Sequence, residues 1–318
     1  MGPKTSIRQL LERKEFVWAP CIFDCTSARC VELAGYNAML LSSCELEYSM
    51  NGIPAGLYTW EEYIWAAERI AASSPLPLIV DGENGGGAPM VVYRNCKRLA
   101  EAGVMAISIE DTIAGICHVD YQYKHMRGYM SAEDWATNVK AAVEAVAHTD
   151  CMIIARTDCK GGGASQIGAI ANDPYCLGLD EAIRRAKMGV EAGAEITMIQ
   201  NICHADCEDE CRRIAAEVPG YRFYPDVHAT NGKPDATLEQ MQEWGFHLVS
   251  NHACMKGATM GMMKYLTENF KNKDTTYSEN DPEFDKFFPG VHKFTPFDCE
   301  EWVDLDKKYE AYRRTLDR

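Results

Sequence analysis

Residues 76–112 read LPLIVDGENGGGAPMVVYRNCKRLAEAGVMAISIEDT, and they hold one complete strand–helix–strand unit. The apolar run LPLIVDGE (76–83) ends in two carboxylates and a glycine-rich turn. VYRNCKRLAEA follows with helical spacing and stops at Gly103, after which AISIEDT (106–112) is a second apolar run that again ends in acidic residues. Short apolar runs bounded by turn signals read as buried strands, and a helix between two of them is the crossover that parallel pairing requires.

The same unit repeats in both directions. WAPCIFD (18–24) and AMLLSS (38–43) come before it, and MIIARTD (152–158), EITMIQN (195–201), YRFYPDV (221–227) and HLVSNH (247–252) come after, which makes eight runs. Amphipathic stretches such as TWEEYIWAAERIAA, SAEDWATNVKAAVEAVA and LDEAIRRAKMGVEA lie between them. Gly35, Gly103, Gly193 and Gly245 each stand just past such a helix, where a left-handed residue closes the last turn. Eight equivalent units in 318 residues predict an α/β fold, a (β/α)8 TIM barrel over residues 1–260. Residues 261–318 form a C-terminal helical extension whose aromatics, Phe287, Phe288, Phe294, Phe297 and Trp302, dock on the barrel or on a second subunit.

A net charge of -15 opposes binding to nucleic acid or to an anionic membrane surface. No apolar run approaches the ~20 residues of a membrane helix, and the first residues lack the apolar core of a secretory signal. Fourteen cysteines scattered through a long acidic chain suit reduced cytoplasm. The expected partner is a small molecule, and an anionic one needs a metal ion or a buried arginine to oppose the global field. Cys203, Cys207 and Cys211 with His204 have the spacing of one helix face; an apolar docking stripe accounts for them better than a metal site does.

Polar groups stand at the end of each run, and in a parallel barrel those ends meet at one mouth. Asp81 and Glu83, two apart, are aimed to one side by strand alternation, and Glu110 comes from the next run. Carboxylates without cysteine or histidine suit a hard cation, Mg2+ or Mn2+, which can hold the oxygens of an enolate. Arg156, directly after MIIA, offers a planar fork to a substrate carboxylate; an ion pair with Asp158 or Glu110 is the alternative. GICHVDYQYKH (115–125) is a loop rich in titratable groups, either a lid or a solvated surface stretch.

VDGENGG, ISIEDT and IIARTD, in this order and spacing, resemble the isocitrate lyase and phosphoenolpyruvate mutase superfamily, and the similarity runs over about residues 6–260. The resemblance implies a (β/α)8 barrel in a dimer of dimers, often with its last helix exchanged, that binds Mg2+ (or Mn2+) and a small carboxylate. Asp81, Glu83 and Glu110 then match the metal-binding carboxylates, with Glu83 where an aspartate is usual. Ser42 and Arg156 match substrate-binding positions. Ser43 stands for a glycine that offers its backbone to the substrate, Leu40 for an aromatic, and Ala55 for an aspartate. Gln200 occupies a substrate-facing position that is glutamate in lyases and histidine in mutases. Cys117 and His118 are a shortened form of the lid motif whose cysteine is the acid or base. The implied function is cleavage of a carbon–carbon bond in a 2-methylisocitrate-like or alkylmalate-like acid. Phosphonopyruvate-class mutase or hydrolase chemistry, and ligand binding without catalysis, are the alternatives.

Overall fold

The computed structural model describes residues 5–52, 56–113, 128–161, 177–202, 207–227, 229–230, 233–279, 281–287, 297 and 299–316. The chain divides into two compact units, residues 1–256 and 257–318.

In the first unit eight parallel strands close into a barrel in chain order. They are β1 (Val17–Ile22), β2 (Met39–Leu41), β3 (Leu78–Asp81), β4 (Ala106–Ile109), β5 (Met152–Thr157), β6 (Ile196–Ile199), β7 (Tyr221–Tyr224) and β8 (Leu248–Asn251). The barrel closes with Val17 of β1 beside Leu248 of β8. Each of the eight apolar runs is therefore a strand, as expected. Helix α1 (Ile7–Glu12) precedes β1, and α2 (Cys25–Leu33), α3 (Ser43–Met50), α4 (Trp60–Ser73), α5 (Pro89–Glu101), α6 (Ala132–Val146), α7 (Gly178–Glu191), α8 (Glu208–Glu217) and α9 (Leu238–Glu243) connect the strands. The four glycines read as helix stops all have positive φ, from +88° at Gly245 to +107° at Gly193.

The strands end earlier than their apolar runs do, and after β1 and β2 the polar residues that follow are taken into helix caps. Asp24 forms a capping box with Ser27 at the start of α2, and Ser42 accepts the Glu45 N–H at the start of α3.

Alternation sorts the side chains into two layers. Val17, Ala19, Cys21, Ile79, Ala106, Met152, Ile154, Ile196, Phe223 and Leu248 pack together inside the barrel, with Ile7, Leu10 and Leu11 of α1 closing the end where the strands begin. The intervening residues, such as Val80, Ile107, Ile153 and Ala155, pack outward on the helices. The open end is the one where the strands finish, so the inward rows lead there: Met152, Ile154, Arg156 on β5, and Ile79, Asp81 on β3.

The second unit holds most of α10 (Cys254–Asn272), with α11 (Thr276–Glu279), α12 (Pro282–Phe287) and α13 (Glu300–Leu316). Within it, Lys264 Nζ lies 3.0 Å and Tyr265 Oη 2.8 Å from Asp281 Oδ2.

Trp135 on α6 is fully buried and donates its indole N–H to the Ile109 carbonyl at 3.0 Å, which fastens α6 to β4. Trp135→Ala is expected to cost about 3–5 kcal/mol, read as a lower urea midpoint; an unchanged midpoint would show that α6 is not held there.

Candidate active site

The upper inward layer of the barrel is charged. Asp81 of β3 sits beside Ser108 of β4 in register. Asp81 Oδ1 accepts from Ser108 Oγ at 3.0 Å and from Arg156 Nη1 at 2.8 Å. Arg156 also grips Asp158 with both Nε (2.8 Å) and Nη2 (3.0 Å), and its Nη2 lies 3.0 Å from Glu110 Oε2. The guanidinium is almost completely buried. Arg156 is ion-paired with Asp158 and Glu110, the alternative weighed from the sequence, and it also lines the cavity of the mouth.

Glu83 arrives by another route than alternation. Strand β3 stops at Asp81, and Glu83 lies in the left-handed region at φ +47°. Such a conformation is uncommon for a residue with a side chain and marks a constrained turn. Gly82 is required before it, since a Cβ there would meet the Ser108 carbonyl oxygen at 2.4 Å. The turn is held by the Glu110 N–H, which donates to the Glu83 carbonyl at 2.8 Å. Ser43, fully buried at the start of α3, lies 3.4 Å from Asp81 through its hydroxyl and also hydrogen-bonds Glu83. Its hydroxyl is a side-chain clamp between two carboxylates.

Around this core a buried frame holds the strand ends. Asp111 accepts from Thr157 Oγ1 (2.5 Å), from the Asp158 N–H (2.9 Å) and from Arg185 Nη1 (3.0 Å). Tyr63 donates to the Asp81 carbonyl at 2.6 Å, and Thr112 to Glu110.

Three carboxylates contact Arg156 and Glu83 adds a fourth charge nearby, so the cluster carries excess negative charge away from water. Burial pushes the Glu110 carboxyl well above its usual range; Arg156 opposes this, while Glu83, Asp158 and Asp81 reinforce it. Burial and the neighbouring Asp81 push Glu83 up to about 7. Glu110 Oε2 is buried, and although ion-paired it gains no well-aligned hydrogen bond. All-oxygen donors, crowded charge and such an atom are of the kind that suits a hard divalent cation.

The cavity beside the cluster encloses about 50 Å3 and is lined by Ser42, Gln200 and Arg156 among others. Ser42 caps α3, so its hydroxyl is already engaged. Gln200 continues the inward row of β6 after Met198. Cys117, His118 and Ala55 lie outside the described residues. So do Cys203 and His204, while Cys207 and Cys211 are buried in an apolar cluster with Ile214 and Tyr224, as a docking stripe would be.

A second polar group at the mouth does not stand out in the sequence. His252, after β8, places Nδ1 2.9 Å from Glu45 Oε1 and Nε2 3.2 Å from Asp226 Oδ2, with Cys21 Sγ 4.0 Å from Nε2. Asp226 holds the imidazole protonated, far above its usual range, and burial pushes the Cys21 thiol up to about 11. Counting in twos along β1 from Ala19 and along β8 from Leu248 reaches Cys21, Ser250 and His252, and that is the signal that could have found them.

Fold and site together define the class: a (β/α)8 barrel with an acidic, arginine-centred mouth. Over residues 7–271 the chain matches the model of the family described as phosphoenolpyruvate phosphomutase. It is 31% identical over 320 residues to the petal death protein of Dianthus caryophyllus, covering 98% of this chain and 91% of that one. It is 29% identical over 280 residues to 2,3-dimethylmalate lyase of Eubacterium barkeri, covering 87% and 89%. The solved structure of oxaloacetate acetylhydrolase in complex with the product oxalate shares the fold at a TM-score of 0.77 and 20% identity, over 96% of this chain and 97% of that one. The chain belongs to the phosphoenolpyruvate mutase and isocitrate lyase superfamily.

Because Glu83 is raised above its ordinary value, the stability its neutral form contributes is present below 4.5 and lost as pH rises through about 7. The melting temperature of metal-free protein is expected to fall across that window, and the stabilisation by excess Mg2+ to grow with pH. A magnesium-induced shift that does not depend on pH would contradict this.

Proposed function

We propose that this chain is a Mg2+- or Mn2+-dependent oxo-acid lyase. It cleaves a carbon–carbon bond of a small 2-hydroxy di- or tricarboxylate, of the 2-methylisocitrate or alkylmalate kind, releasing pyruvate or another 2-oxo acid and the enolate of the second carboxylate. The observation that carries this is the gathering of Asp81 and Glu110 on Arg156 at the barrel mouth, with Glu83 buried beside Asp81. The likeness to 2,3-dimethylmalate lyase supports the substrate class.

Asp81, Glu83 and Glu110 would hold the cation, and the chemistry it supplies when bound is charge against the developing enolate oxygens. Asp158 keeps the guanidinium of Arg156 aligned through two parallel bonds. The face of Arg156 that borders the cavity would take the substrate carboxylate through Nη1 and Nη2. Ser42 and Gln200 border the space that the substrate fills, and Ser43 keeps the carboxylates in place. As the carbon–carbon bond breaks, the 2-hydroxyl gives its proton to a general base and its oxygen becomes the keto oxygen of the 2-oxo acid, the electron pair of the bond passes to the other fragment as its enolate, and Cys117, with His118, would deliver the proton to that carbon.

Asp81→Asn is expected to lower kcat by about 10²–10³, and Cys117→Ser by about 10²–10⁴, in 2-oxo acid release from a panel of alkylmalates with Mg2+. Full activity in Cys117→Ser removes the lid acid. New phosphorus-31 signals from phosphonopyruvate, without alkylmalate turnover, would put carbon–phosphorus chemistry in its place. Binding of Mg2+ and acid with no turnover of either kind would leave a non-catalytic ligand-binding relative.

The same reading includes a homo-oligomer, a dimer of dimers with the extension over 261–318 exchanged between subunits. In its support, Phe270 of α10 is 75% exposed and Trp302 of α13 72%, and large apolar groups left on a surface mark contacts. Light scattering is expected to give a tetramer mass, and a monomer at all concentrations would refute it. No helix among the described residues is long and apolar enough to cross a membrane. The thiols of Cys21, Cys44 and Cys96 are free, which supports the cytoplasm as the compartment.

A further inference from the structure

On the side of the mouth formed by β7, β8 and β1, donor atoms of Cys21, Asp226 and His252 all lie within 4.8 Å of one another. We propose that these three side chains form a second metal site, for a borderline transition ion such as zinc, separate from the all-carboxylate site on β3–β5.

The donor set selects the ion. A thiolate, an imidazole nitrogen and one carboxylate oxygen suit Zn2+ or Co2+, whereas Mg2+ prefers oxygen alone. The spacing is close to what coordination needs: Zn–ligand bonds of about 2.0–2.3 Å place tetrahedral neighbours roughly 3.3–3.6 Å apart. Asp226 Oδ2 is 3.2 Å and Cys21 Sγ 4.0 Å from His252 Nε2, so a shift of a few tenths of an ångström of the thiol completes the edge.

The surroundings already orient these ligands. Glu45 takes the Nδ1 side of the ring at 2.9 Å, which leaves Nε2 for a metal, and a ring nitrogen tied to a carboxylate is the usual support of a metal-bound histidine. Ser250 Oγ donates to Asp226 Oδ1 at 2.8 Å, which fixes that carboxylate and leaves Oδ2 turned to the ring. Glu45 itself is buried, and its Oε2 has no hydrogen-bond partner among the described residues, so the carboxylate sits in the protein interior for the sake of the histidine. Cys21 is a free thiol at the end of the inward row of β1.

Three protein ligands leave a fourth position, as in catalytic rather than structural zinc sites. Cys21, Asp226 and His252 all line the cavity that Arg156 and Asp81 also border, so the fourth position opens into it. The ligand it takes there is a water or an oxygen of whatever acid fills the cavity. Binding releases one proton from the Cys21 thiol and one from Nε2 of the imidazolium, with no change of oxidation state.

The test is a Co2+ titration of the whole protein in excess Mg2+, which keeps the carboxylate site occupied and makes the outcome independent of the lyase activity. One equivalent of Co2+ is expected to bind with a thiolate-to-cobalt charge-transfer band. The band is lost in Cys21→Ser at unchanged circular dichroism, and Glu45→Gln keeps it while weakening affinity about 10–100-fold. Should Cys21→Ser fail to fold, Asp226→Asn serves in its place, and undiminished Co2+ affinity in that variant overturns the proposal. A wild-type titration without the band, or a band that survives in folded Cys21→Ser, overturns it as well.

Discussion

The buried guanidinium of Arg156 organises the β3–β5 side of the barrel mouth. Arg156 is carried inward by the same alternation that buries Met152 and Ile154 below it, and it meets Asp81, Glu110 and Asp158 where water is scarce. Removing one partner from such a set strands the others, at a cost of order 3–5 kcal/mol. The frame around it answers to that demand: Asp111 with Arg185 and Thr157 pins the end of β5, Tyr63 pins Asp81, and Ser43 bridges Asp81 and Glu83.

The guanidinium does not balance the site. Glu83 and Glu110 are both driven toward their neutral forms, chiefly by burial. Cores do not collect buried carboxylates for stability's sake, so this excess marks a functional site, and the proposed divalent cation would offset it. The left-handed turn at Glu83 belongs with it, because local strain is retained where a side chain must be delivered to one place.

How much of this could be seen in the residue order follows from the spacing of the parts. Eight apolar runs and four helix-ending glycines carry the barrel, because alternation and left-handed stops are local properties. Asp81, Glu110 and Arg156 were legible because a charged side chain straight after a buried apolar strand must either pair with an opposite charge or face a ligand. Where the polar residue also suits a cap, as Asp24 and Ser42 do, the helix claims it and the strand is shorter than its apolar run. The role of the Ser43 hydroxyl was not legible, because its partners Asp81 and Glu83 lie on another barrel unit. The group of Cys21, Glu45, Asp226 and His252 was hidden, since its members come from four separate barrel units and only closure of β8 on β1 brings them together.

The most direct test of the carboxylate cluster as a metal centre is paramagnetic. Water-proton relaxation in a Mn2+ titration should show one bound ion per chain with exchangeable water, and oxalate, a planar enolate mimic, should then lower the enhancement by displacing that water. With Glu110→Gln the enhancement should be weak or absent. An unchanged Mn2+ titration in Glu110→Gln, or a bound ion whose relaxation ignores oxalate, would place the metal elsewhere and contradict the central claim.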